Sequence, residues 1–126
     1  MGQYFKLVNM DRKEVVNPWK IGSGVKFWEW MANPHGRVLL WLLRQSNEGG
    51  GGDIADRDEY TTLGRWAGDR RTLIGDYDAS GLWDASNTKD ADGAFIERSE
   101  YRDISKAVRD EFNHAVRRDG GCIDEI

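Results

Sequence analysis

The 126 residues predict an α+β domain, with a mainly antiparallel sheet of about four short strands and three helices. Two signals carry this expectation. Runs of strand formers at 3–9 and 14–16 are separated by a short polar turn. A long stretch near the C-terminus, 99–118, repeats apolar residues at helical spacing. The length suits one domain, predicted over residues 1–121, with a frayed tail at 122–126.

Taken in order, QYFKLVN at 3–9 is rich in strand formers, with imperfect alternation of Tyr4, Lys6 and Val8 against Phe5 and Leu7. Glu14 to Val16 pairs back as a second strand, and Asn17-Pro18 ends it because proline cannot donate to a ladder. Ser23, in Ile-Gly-Ser-Gly at 21–24, is the expected N-cap of a helix over 24–32 with Val25, Trp28 and Ala32 on one face. Asn33-Pro34 opens the next helix, 34–45, whose VLLWLL interior is apolar all round and therefore central. Four consecutive glycines make 46–53 a flexible connection.

Residues 61–66 and 70–74 read as two strands joined by a hairpin loop at 67–69, with Gly68 supplying a positive φ. The 75–93 segment is acidic and aperiodic, a long loop of the kind that is commonly functional. Phe95-Ile96 forms a short strand. The last helix starts at Ser99 or Glu100, with Tyr101, Ile104, Val108, Phe112 and Ala115 inward, and stops at Gly120-Gly121.

Charge is uneven. Residues 1–45 hold seven Lys/Arg against three Asp/Glu, whereas 46–100 hold six against thirteen. An acidic middle argues against wrapping nucleic acid, which needs a basic stripe. No apolar run approaches the length of a membrane span. The single cysteine, Cys122, excludes an intrachain disulfide framework. With no secretory signal visible, the expectation is a soluble cytoplasmic protein that engages neither nucleic acid nor membrane.

Chemistry is densest in the acidic loop. DYDASG at 76–81 matches the opening of an oxygen-lined calcium loop, with Asp76, Asp78, Ser80 and Asp84 as ligands and Leu82 giving a carbonyl. Asn87 stands where a bidentate glutamate is needed, and a strand rather than a helix leads in, so this is not an EF-hand. The alternative is a turn whose Asp side chains cap their own backbone. Asp76, Asp78 and His35 are the candidate acid–base residues of a small enzyme. Asp69 lies too far along the strand from Asp76 to cooperate with it. His114, near a helix C-terminus, has a structural role by the dipole. The glycine turn at 21–24, flanked by Lys20 and Lys26, lacks both phosphate-binding fingerprints. Among the tryptophans, Trp28, Trp41 and Trp66 fit core positions, and Trp19, Trp30 and Trp83 fall on wetter faces.

The opening M-G-x-Y-x-x-x-x-N at 1–9, WAGDR at 66–70 and GDYD at 75–78 resemble a group of small microbial proteins. The resemblance spans about residues 2–80 and implies no activity, ligand or catalytic residue. The functional expectation is therefore a non-catalytic binding or interaction protein. The 75–93 loop, with Trp66, Asp69, Arg70, Asp76, Asp78, Trp83 and Asp84, would engage a basic or ring-bearing protein or small-molecule partner, without a cofactor. The alternatives are the Asp/His enzyme and a calcium-stabilised binding module.

Overall fold

The computed structural model describes residues 2–22, 24–46, 59–89, 92–93, 96 and 99–126. The expected N-cap Ser23, most of the 46–53 connection and Phe95 lie outside the described residues. The domain is α+β. Its strands, β1 (Phe5–Asn9), β2 (Glu14–Val16), β3 (Arg71–Gly75) and β4 (Arg102–Asp103), form one sheet in the order β3-β1-β2-β4. β1 pairs antiparallel with β2 and β3, and β2 runs parallel to β4, so the sheet is mixed. The helices are α1 (Pro18–Ile21), α2 (Phe27–Ala32), α3 (Val38–Leu43), α4 (Leu82–Ala85) and α5 (Ser105–Asp119). A 3₁₀ turn, Pro34–Arg37, leads into α3.

Alternation along the strands gives the sheet two apolar faces. Leu7 and Val16 face a core shared with Ile21, Trp30, Val38, Leu42, Trp66, Ile104 and Val108. Val8 and Val15 face a smaller core with Ile74 and Tyr101, covered by Leu82 and Trp83. The first core joins helices to the sheet. Burying each of its larger aliphatic side chains contributes about 1.5–3 kcal/mol before entropy is counted.

Several sequence expectations are corrected. Residues 61–66 form turns, not a strand, and β3 pairs with β1 instead of with them. The reason is that these amides have better partners. Gly64 N–H donates to Trp41 O (2.8 Å) and Trp66 N–H to Leu42 O (2.9 Å), satisfying carbonyls that α3 leaves open at its C-terminus. Gly64 holds φ +70°, and a Cβ there would stand 2.5 Å from the Arg44 carbonyl oxygen. α2 begins at Phe27, not near 24; Lys26 N–H donates to Glu29 Oε1 (3.1 Å) at its start. This shift rotates the buried face, so Trp30 is buried and Trp28 is 72% exposed, the reverse of the expectation. α3 is shorter than 34–45 and Leu40 is 72% exposed, so the helix is not apolar-buried all round.

The last helix starts at Ser105. Tyr101 stays in the smaller core, but Arg102 and Asp103 extend alongside β2. Arg102 N–H reaches Lys13 O (2.8 Å) and Ile104 N–H reaches Val15 O (3.0 Å). Asp103 then accepts from Ser105 N–H (2.9 Å) and from its hydroxyl, closing the first turn of α5.

One buried charge ties these parts together. Glu14, in β2, is 3% exposed. Its carboxylate accepts from Arg65 Nε (2.9 Å) and Nη2 (2.7 Å) and from the Trp66 indole Nε1 (2.9 Å). Forked guanidinium pairing suits a carboxylate held out of water. Glu14→Ala is expected to cost about 3 kcal/mol, because it strands a guanidinium and a buried indole N–H. Urea denaturation checks this, and a loss below about 1 kcal/mol would contradict the role assigned to Glu14.

Candidate functional site

Lys6 organises the second face of the sheet. It sits in β1 between Phe5 and Leu7, so its side chain emerges opposite Leu7, and the residue is 1% exposed. Its ammonium donates to Trp83 O (2.9 Å) and Asn87 Oδ1 (2.7 Å) and lies 4.4 Å from the centre of the Trp83 ring. Burial lowers its pKa to about 8, against the opposing pull of Asp84 and Asp103. These contacts fasten the 82–87 segment onto the sheet. Ser86 Oγ donates to Leu82 O (2.7 Å), and Ser99 Oγ to Asn87 O (2.8 Å), tightening the same segment.

Asp103 plays the matching part beside α1. It accepts from Asn17 Nδ2 (2.8 Å) and from Lys20 Nζ (2.6 Å). Burial pushes its carboxyl up, but Lys20, Ser105 and Asn17 outweigh that and hold it below the usual carboxylate range. Asn17 N–H donates to Ser105 Oγ (2.7 Å), so α1 is pinned to the start of α5.

A cleft of about 350 Å³ opens between α1 and the end of the acidic segment. Asn17, Trp19 and Lys20 line one wall, and Asn87, Thr88 and Lys89 the other. Trp19 is 57% exposed and meets Tyr4 edge-on at 6.1 Å. The cleft thus combines a wet indole, two ammonium groups and side-chain amides, with Lys6 and Asp103 behind it.

The residues expected from sequence are placed as follows. Asp76 Oδ1 accepts Tyr4 N–H (3.0 Å), and Asp78 Oδ2 accepts Ser80 N–H (2.9 Å). Ser80 Oγ in turn accepts Leu82 N–H (3.2 Å). That is the self-capping turn, and the Ser80 contacts hold the Asp78 carboxyl below its usual range. Asp84 is exposed near Lys6, and Trp83 is half-buried over it. Among the described residues, no three His, Cys, Asp or Glu side chains gather as a metal centre requires. Asp69 and Arg70 lie at the other end of β3. Asp69 accepts from Asn9 Nδ2 (2.9 Å) and Arg12 Nε (2.9 Å), and Asp11 accepts from Arg70 Nε (2.8 Å). Trp66 is 0% exposed, so its ring presents no surface to a partner.

His35 is brought near neither acid. It is 2% exposed and packs on the Trp30 ring at 4.7 Å. Gly22 makes room for it; a Cβ there would stand 2.6 Å from His35 Cβ. Neither ring nitrogen makes a hydrogen bond of ordinary geometry among the described residues. Burial lowers its pKa, and the nearby Gly24 backbone and Glu29 charge only partly offset this. His114, by contrast, is exposed and shares a hydrogen bond with the Tyr60 hydroxyl (3.0 Å).

Sequence reasoning missed Lys6, Asn17, Trp19, Lys20, Asn87, Thr88 and Lys89 as a group. The local signals were a lysine on an otherwise apolar strand and the placing of Trp19 on a wetter face. No helix among the described residues is long and apolar enough to cross a membrane. Comparison with protein-family models, curated proteins and solved structures found no match.

Two pH dependences follow from the buried bases. The unfolded chain holds the Lys6 proton up to about pH 10.5 and the folded chain only to about 8, so folding gains stability as pH rises between them. Lys6→Met should remove that rise, and an NMR titration of wild-type Lys6 should show a midpoint near 8. A midpoint near 10.5 would refute the buried setting of its ammonium. His35 is likewise depressed, so stability should fall as pH drops below about 6.5. Thermal melts of His35→Phe should show a shallower acid limb; an unchanged limb assigns the acid sensitivity elsewhere.

Proposed function

We propose that the protein is a non-catalytic binding module. Its site is the cleft formed by α1 and residues 87–89, and its ligand is a small molecule bearing an aromatic ring and an anionic group. The supporting observation is the exposed Trp19 ring at the mouth of a cleft whose charged lining is cationic, Lys20 and Lys89. The ring would stack on the indole, and the anion would meet ammonium groups and side-chain N–H donors. Lys20 is held by Asp103 at 2.6 Å and is therefore already oriented. Lys89 has no ion-pair partner among the described residues and is exposed. Orientation before binding limits the entropy lost when ligand arrives.

This reading keeps the 75–93 segment as the recognition element and the ring-bearing ligand, and moves the contact from its acids to its far end. Asp76 and Asp78 already accept backbone N–H groups, which weakens the case for them as the surface that attracts a basic partner.

Titration with nucleoside monophosphates and aryl carboxylates, followed by tryptophan fluorescence and NMR, tests the proposal. Binding by at least one of them is expected. Trp19→Ala or Lys89→Glu should weaken it about tenfold, the value of one stacking or charged contact. The melting temperature should be unchanged, since both side chains are exposed. No binding by any probe, or full affinity in Trp19→Ala, would falsify the cleft as the site.

A further inference from the structure

Among the described residues β3 ends the sheet, with β1 on one side only. Its outward groups follow from the ladder. Arg70 O accepts Met10 N–H (2.9 Å) and Asp76 N–H donates to Tyr4 O (3.0 Å), so even-numbered residues address β1. Arg71, Leu73 and Gly75 therefore point their N–H and C=O groups away from the sheet. Among the described residues, those of Arg71 and Leu73 meet no partner, and Gly75 O accepts Asp78 N–H (3.1 Å). Such an edge is a template for another strand.

An apolar groove of about 230 Å³ runs beside it, lined by Leu7, Leu39, Leu43, Arg71, Thr72 and Leu73. Leu40, one turn before Leu43 on α3, is 72% exposed. The strand itself is electrically lopsided: Arg70 and Arg71 enter it, and Asp76 and Asp78 leave it.

We propose that β3 is a self-association edge, at which a second copy of this chain pairs its own β3 antiparallel about a two-fold axis through Leu73. In this register Leu73 faces Leu73, Arg71 faces Gly75, and Arg70 faces Asp76 of the second copy. Each basic end thereby meets an acidic end, twice, by symmetry. A parallel pairing sets like charges together instead. The Asp11 contact uses Arg70 Nε and the Tyr4 contact uses Asp76 Oδ1, which leaves Arg70 Nη groups and Asp76 Oδ2 for the new pair. The Leu73 groups exchange hydrogen bonds across the axis, Gly75 N–H donates to Arg71 O, Gly75 O takes the Arg71 N–H as a second donor beside Asp78 N–H, and the two sheets become one of eight strands. A short strand pair alone falls below the roughly 1,200 Å² that a stable interface buries, so the Leu39–Leu43 side of α3 must close over the seam as well. The proposal is independent of the ligand cleft.

Sedimentation equilibrium of the wild type, Arg71→Pro and Arg70→Asp decides it. The wild type is expected at twice the monomer mass. Arg71→Pro removes an N–H that β1 does not use, and should give a monomer whose melt matches that of the dilute wild type. Arg70→Asp should weaken the dimer about tenfold, and adding salt should weaken the wild type. A wild type that stays monomeric at roughly millimolar concentration overturns the proposal. So does a dimer that survives Arg71→Pro at full affinity, because it must use another face. Should Arg71→Pro fail to fold, Arg70→Asp decides alone: unchanged affinity overturns the β3 register and tenfold weakening upholds it.

Discussion

The carboxylate of Glu14 is where sheet, turn region and helices meet. It leaves β2 toward the main core and there accepts the Arg65 fork and the Trp66 indole N–H. Trp66 is thereby seated among Leu7, Val16, Leu42 and Val108, and its own amide closes the end of α3. A carboxylate this deep is tolerated only with its lone pairs engaged. The geometry of 60–70 is therefore not free to drift: moving it exposes a charge to apolar surroundings. That constraint explains why residues with good strand propensity are held in turns.

The opposite face of the sheet uses the inverse arrangement, a buried cation under a ring. Lys6 is covered by Trp83 and bonded to Asn87, and it adds a charged anchor to the apolar contacts that Leu82 and Trp83 make with the smaller core. The acids of that segment are spent locally. Asp78 and Ser80 hold the turn into α4, and Asp76 receives the amide that extends the β1 ladder past its last paired residue. The cleft of about 350 Å³ lies on the far side, where Asn87, Thr88 and Lys89 face α1. The Asn17–Asp103–Lys20 contacts tie that wall to the parallel β2–β4 pairing. Fold and cleft thus share the same hydrogen bonds.

The parts read correctly from sequence are those decided by neighbours. Residues 3–9 and 14–16 lie within a turn's reach of each other, and they pair as the expected hairpin strands. Val108, Phe112 and Ala115 follow helical spacing and are buried. The failures arise where a distant partner outbid local preference. Thr61 and Thr62 favour strands, but the Glu111 side chain accepts their amides and hydroxyls. Residues 101–104 continue a helical pattern, but the Lys13 and Val15 carbonyls capture the Arg102 and Ile104 amides. Starting α2 at Phe27 turned Trp30 inward and Trp28 out. The candidate site was half legible: the 75–93 segment was singled out, but its opposite wall at 17–20 was not.

By itself, the sequence determined composition, charge asymmetry, the β1–β2 hairpin, the inward stripe of α5 and the α+β character, because each rests on contacts close along the chain. Only tertiary structure decided which charges are buried, that the sheet is mixed, and which indoles remain wet. Lys6, Glu14 and His35 look like ordinary polar residues in a string of letters. The consequence of Lys6 and Glu14 comes from hydrogen-bond partners 51 to 81 positions away, that of His35 from its burial against Trp30, and the energy of a buried charge depends on what surrounds it in space.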